Sequence, residues 1–207
     1  MYVHAPMLAP LLSLAVLTVA APTYSDLSAD AKTVRNLGRL LEGYLEDCTV
    51  QVPDFDRAAC TARVRAAREK VDGRRLEVEV EVEGLIHFSG WDKRKKAYRL
   101  HLVPLFDERG LGMSVGHPKR LDAQGRPVLK NIPIWVKRDE GEPEVIFKRR
   151  LRRGMVRLQL LVQPKRAWRL KPRDGDALRG MEVGLVGLRL YPARGNKVLA
   201  EQTYERR

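Results

Sequence analysis

Cys48 and Cys60 are the only cysteines in the chain. Two sulfurs this close in sequence could form a disulfide, hold a soft metal or cycle as a redox pair. No histidine or second cysteine pair lies nearby and there is no C-x-x-C spacing, so the reading is a structural disulfide. Closing so short a loop is worth about 3 kcal/mol in the chain-entropy model. Proton transfer is the next chemistry the residue types allow. Asp107 with His101 or His117 would pair a carboxylate with an imidazole, the combination general acid–base catalysis uses. These residues flank the glycine-punctuated stretch Asp107–Gly116, whose third glycine falls one position late for a dinucleotide fingerprint. That stretch reads as a bulged loop, the best place for a small-ligand site. The spacing of His87, His101 and His117 matches no metal-ligand signature, and no catalytic nucleophile, metal or phosphate-loop motif occurs. No metal and no cofactor are expected.

Cationic clusters offer a third chemistry, the binding of anions. Lys93–Lys96 reads as a charged turn. Lys148, Arg149, Arg150, Arg152 and Arg153 fall where two strands should join, and Lys165, Arg166, Trp168 and Arg169 follow a strand, with a tryptophan set among the charges. If the last two clusters share one edge they form an anion site, with Trp168 as an interfacial anchor. The distribution of charge favours that region. The chain carries a formal net charge of +13, yet residues 26–83 have a net of −3 and residues 84–207 a net of +16. A field of that sign draws polyanions.

The elements that must position these residues follow from periodicity. Leu8–Ala20 is an apolar run without charge, shorter than the ~20 residues of a spanning helix and placed as the core of a signal peptide. Residues 1–25 are read as that leader, with cleavage between positions 20 and 25: after Ala20, after Ala21 or, more weakly, after Ser25. No cysteine marks a lipid-attachment site there. Residues 26–207 then form a single domain, periplasmic or secreted. Within it, Ser28–Asp47 and Asp54–Val71 show helical periodicity and form a hairpin over 26–73, bridged by the cysteines. The apolar face of the second helix is drawn from Phe55, Ala59, Cys60, Ala62, Val64, Ala66 and Ala67. From Leu76 the period becomes two, Leu76, Val78, Val80 and Val82 alternating with four glutamates, which pair with Arg99 and His101 on the strand Ala97–Leu105. Further strands are expected near 132–137, 143–149, 154–163, 181–191 and 197–204, after an irregular stretch at 107–130. The fold class is α+β, mainly β: an antiparallel β-sandwich or open barrel preceded by a disulfide-tied N-terminal helical hairpin, the β portion spanning 74–207.

The leading functional reading is a non-enzymatic exported envelope or periplasmic protein that engages an anionic surface through a basic C-terminal face. Its partners would be an anionic membrane surface, lipopolysaccharide or an acidic glycan; no intracellular nucleic acid is expected. The alternatives are a hydrolase of an envelope polymer using the carboxylate/histidine pair near 101–117, and a structural subunit that recruits a protein partner through an edge strand.

Overall fold

The alternation at Leu76–Glu81 makes the strand that anchors the fold. In a computed structural model, which describes residues 21–49, 52–81, 86–108, 110–153, 156–173, 175–192 and 194–204, this strand pairs along its length with a long central strand. The apolar run 8–20 lies outside the described residues. In chain order the elements are α1 (Tyr24–Ser28), β1 (Lys32–Val34), α2 (Leu37–Leu45), α3 (Arg57–Glu69), β2 (Leu76–Glu81), β3 (Ile86–Asp92), β4 (Ala97–Leu102), β5 (Leu105–Glu108), β6 (Leu111–Val115), β7 (Ile132–Val136), α4 (Glu144–Arg153), β8 (Val156–Leu170), β9 (Leu178–Pro192) and β10 (Ala200–Thr203).

Two sheets result. The larger runs β1-β2-β8-β9-β6-β5, with β10 alongside the other half of β9, and the smaller is β3-β4-β7. This is a mainly-strand α+β fold with two open sheets, not a closed barrel. It is not wholly antiparallel, because β1 runs parallel to β2 and β6 parallel to β9. One apolar cluster takes side chains from both sheets, with Leu158, Leu160, Met181 and Leu188 meeting Leu100, Leu102, Ile134 and Val136. Leu41, Tyr44 and Leu45 add the buried stripe of α2, and Phe147 adds the inner side of α4. The Gln202 side chain joins the sheets, accepting from Trp135 N at 2.9 Å and donating to Pro133 O at 3.4 Å.

A second, smaller cluster lies on the outer face of the large sheet. Tyr24 and Leu27 of α1 cover Leu161 and Val186 there. Strand alternation sends Leu161 and Val162 to opposite faces, and the extra residue of a bulge in β9, Val186, joins Leu161 on the outer one. The capping box of α1 is complete: the Thr23 hydroxyl accepts from Asp26 N, and the Asp26 carboxylate accepts from Thr23 N. Hydrogen bonds donated by the Thr23 backbone and then by its hydroxyl hold the Asp26 carboxyl below the usual carboxylate range.

Several expectations are corrected. The helix expected over Ser28–Asp47 is interrupted, since Lys32–Val34 extends to pair with Leu76–Val78 and a new helix begins after Asn36, whose side chain accepts from Arg39 N. Residues 143–149 form no strand. Glu144–Arg153 is helical, opened by Pro143 and Glu144, which suit a helix start. Residues 107–130 are not irregular throughout, because the hairpin of β5 and β6 occupies their start. The second helix buries less than its pattern implies: Cys60 and Val64 face inward, while Phe55 is 83% exposed and Ala59, Ala62 and Ala66 are exposed. Glu77 and Glu79 of β2 pair with neither Arg99 nor His101, and the Glu81 side chain and Glu83 lie outside the described residues. Glu79 pairs with Arg157 of β8 at 3.2 Å and Glu77 accepts from the Tyr24 hydroxyl at 3.2 Å.

The expected disulfide is present. Cys48, just beyond α2, bonds Cys60 in the first turn of α3, with Cα atoms 5.7 Å apart. Such a bridge belongs to an oxidising compartment. No helix among the described residues is long and apolar enough to cross a membrane. Replacing both cysteines by serine is expected to lower stability by about 3 kcal/mol, read as a fall in the denaturant midpoint that dithiothreitol reproduces in the unaltered chain.

Candidate functional site

The two C-terminal basic clusters do not share an edge. The backbone of α4 runs into the start of β8, whereas Lys165, Arg166 and Arg169 lie on the far half of that strand. Extended chain places about 30 Å between Val156 and Arg166. Arg149 is exposed; the side chains of Lys148, Arg150, Arg152 and Arg153 lie outside the described residues. The second cluster is also largely neutralised by its own neighbours. Arg166 Nε is 2.7 Å from Glu182 Oε2, and the same oxygen lies 3.2 Å from His117 Nδ1. Arg169 pairs with Asp47 at 3.1 Å.

Trp168 is not an interfacial anchor. Only 5% exposed, it stands opposite Gly180 on β9, which stands opposite Gly112 on β6. The two glycines leave a shallow bed across neighbouring strands, and the indole fills it. One rung along, Arg166, Glu182 and Ser114 sit side by side. The indole Nε1 donates to Ser114 Oγ at 2.9 Å, and that hydroxyl donates to Gly116 O at 2.8 Å. The polar end of the ring is thus satisfied in the interior.

The proposed acid–base pair is not assembled. Asp107 is exposed near the tip of the β5–β6 hairpin and hydrogen-bonds neither histidine. His101 accepts at Nε2 from Arg99 Nε at 2.8 Å and stands across from His87, while His117 is held by Glu182. Among the described residues no group of histidine, cysteine or carboxylate side chains is placed to hold a metal ion.

Concave surface instead lies on both sides of α3. On one side is a cleft of about 590 Å³ beside the disulfide, lined by Leu45, Val64, Ala167 and Trp168, with charges of both signs at its rim. Asp47 there accepts from the Thr49 hydroxyl at 2.6 Å and the Thr49 backbone at 3.0 Å. These bonds, with smaller help from Arg169 and Arg179 and against its burial, hold the Asp47 carboxyl below the usual range. Within this cleft Arg65 pairs with Glu69 and Arg169 with Asp47.

On the other side of α3 the balance differs. A groove of about 760 Å³ runs between α2, α3 and β1. Its floor is small, with Gly43 on α2 facing Ala67 on α3. Lys32, Arg35, Arg39, Arg63 and Lys70 line it, and among the described residues no carboxylate does. Arg63 is paired with Glu46 at 2.9 Å; the other four are exposed and make no ion pair among the described residues. Sequence reading missed this site because it summed charge over the N-terminal third and found a negative total. The signal was positional. Asn36, Arg39, Leu40 and Gly43 on one helix, and Arg63, Ala66, Ala67 and Lys70 on the other, each recur at three- and four-residue steps and so face one way.

No match is found among curated proteins or among solved structures. A protein-family model described as a family of unknown function, DUF6066, matches residues 2–202, almost the entire chain, which therefore belongs to that family.

Proposed function

We propose that this chain is an exported protein that binds an anionic surface or polymer without turning it over, as a periplasmic or secreted component of the cell envelope. The observation that carries the proposal is the groove beside α3, where five cations meet, Arg63 alone of them ion-paired, and no carboxylate among the described residues lines the wall. Grouping like charges in a concave surface raises local potential and costs self-repulsion, which an anion relieves. The apolar run Leu8–Ala20 and the Cys48–Cys60 bridge support export. Binding rather than catalysis is supported by the separation of Asp107 from both histidines.

The test is co-sedimentation of the chain with phosphatidylglycerol vesicles and with phosphatidylcholine vesicles, beside retention on immobilised heparin, across a salt series. Binding to at least one anionic phase, weakening steeply with salt and absent from the zwitterionic vesicles, is expected. Failure to bind any anionic phase at low salt ends the proposal.

A further inference from the structure

We propose that the ligand is a linear polyanion, seated in a track that crosses β1 from the groove beside α3 into a second concavity. The inference rests on the anion-binding reading above and names the occupant of that site. The second concavity, of about 780 Å³, lies between the end of α1, the turn before β2, and strands β8 and β9. Lys32 lines both, so the two meet at this residue. Arg74 and Lys165 add exposed cations to the second, against Asp30 as its single carboxylate.

The barrier between them is low. β1 is an edge strand of three residues, held by parallel pairing to β2 and by Lys32 N donating to Arg75 O at 2.9 Å. Lys32 and Thr33 point to solvent there, and Ala31 precedes them.

Spacing decides between kinds of anion. Lys32 and Arg35 are about 10 Å apart along extended chain, and Arg63 and Lys70 about 10 Å apart along the helix. Neighbouring long side chains at such spacing can share one small anion, but the cations of two concavities that meet only at Lys32 cannot all engage the same one. They do match charges repeated along a chain. A planar membrane surface fits less well, because the cations line walls around a recessed floor of glycine and alanine, which admits a narrow chain and excludes a plane. The shared ligand chemistry is therefore a flexible chain with an anionic group on each repeat, either a sulfated or uronic acid glycan or a polyphosphate.

The experiment measures binding of the full exported chain to a fluorescein-labelled heparin octasaccharide and to a short-chain polyphosphate, with phosphatidylglycerol vesicles alongside. Two variants of equal net charge are compared: K32A/R35A/R39A/K70A in the groove, and K119A/R120A/K171A/R173A elsewhere on the surface. All eight side chains are exposed, so both variants should keep the thermal midpoint of the parent. The groove variant is expected to bind the preferred polymer at least tenfold more weakly and with a shallower salt dependence, while the other stays within about threefold. Preference for the oligosaccharide or the polyphosphate identifies the source, and binding of either supports the track. Equal weakening by both variants overturns the site, leaving only bulk charge. Vesicle binding with no binding of either polymer overturns the linear ligand and leaves the anion-binding reading standing. If the parent chain binds none of the three, both fall.

Discussion

Gly180→Ala is expected to destabilise the protein by about 3 kcal/mol or more, at the upper end for overpacking a filled interior. A β-carbon at that position would overlap the Trp168 indole and lie 2.7 Å from Gly112 O, so neither wall is the yielding end of a flexible chain. Rigid ring and sheet backbone would both have to move. The indole would be displaced from Ser114 as well, leaving a buried N–H without its acceptor. Urea denaturation would show the lost stability, and the fluorescence emission of Trp168 would shift to the red as the ring reached water. Gly112→Ala provides the calibration. A β-carbon there would meet Leu105 Cδ1 at 3.1 Å and the indole at 3.5 Å, so a mobile leucine tip can give way and the cost should be clearly smaller. Equal, mild effects at both positions would contradict the packing described here.

Tyr24→Ala is expected to cost about 3–4 kcal/mol. The side chain is fully buried between α1 and the large sheet, close enough to Gly187 that a β-carbon there would lie 2.9 Å from its ring. The Arg189 guanidinium stacks over the ring at 4.3 Å. Tyr24→Phe keeps the ring and loses only the bond to Glu77, so about 1 kcal/mol is expected. The two variants should also separate in alkali. Burial, then the Glu77 carboxylate, pushes the Tyr24 phenol far above its ordinary value of 10.0. Burial and Asp72 do the same to Tyr44, and burial pushes Tyr204 up to about 12. A folded-state pKa above the unfolded one gives stability that is complete below pH 10 and lost as the pH rises past it. The parent should therefore weaken above pH 10. The phenylalanine variant should weaken less steeply there, and thermal midpoints between pH 8 and 11 check both slopes.

The sequence was most legible where local pattern and tertiary role coincide. Leu76–Glu81 alternates because one face meets the core, and the cysteines pair because a short turn between α2 and α3 brings them together. Legibility failed where a distant partner decided. Lys32–Val34 lies inside a helical pattern, but pairing with Leu76–Val78 draws it out into a strand. Val145 and Phe147 alternate as in a strand, yet Val145 is 74% exposed and Phe147 fully buried on a helix that rests on Tyr98. Trp168 sits among charges in sequence, while the glycines that receive it belong to β6 and β9. The anion site was misplaced for a related reason. Arg166 and Arg169 look free until Glu182 and Asp47 arrive from other elements, whereas Lys32, Arg39 and Lys70 come from three separate elements that only the fold assembles.

Where Tyr24 docks also fixes when it can dock. Its backbone N–H is bonded to Glu201, 177 positions along the chain, and Ser25 accepts from Arg189 at a separation of 164. A chain delivered amino end first, from a ribosome or through a pore, must therefore hold α1 in waiting until β9 and β10 have emerged, while the Cys48–Cys60 loop can close early. Without β9, Leu161 lacks Val186 as its neighbour in that cluster. Burial of Tyr24 thus reports that β9 and β10 have joined the sheet, and protection of the α1 segment from proteolysis should follow the docking of those strands.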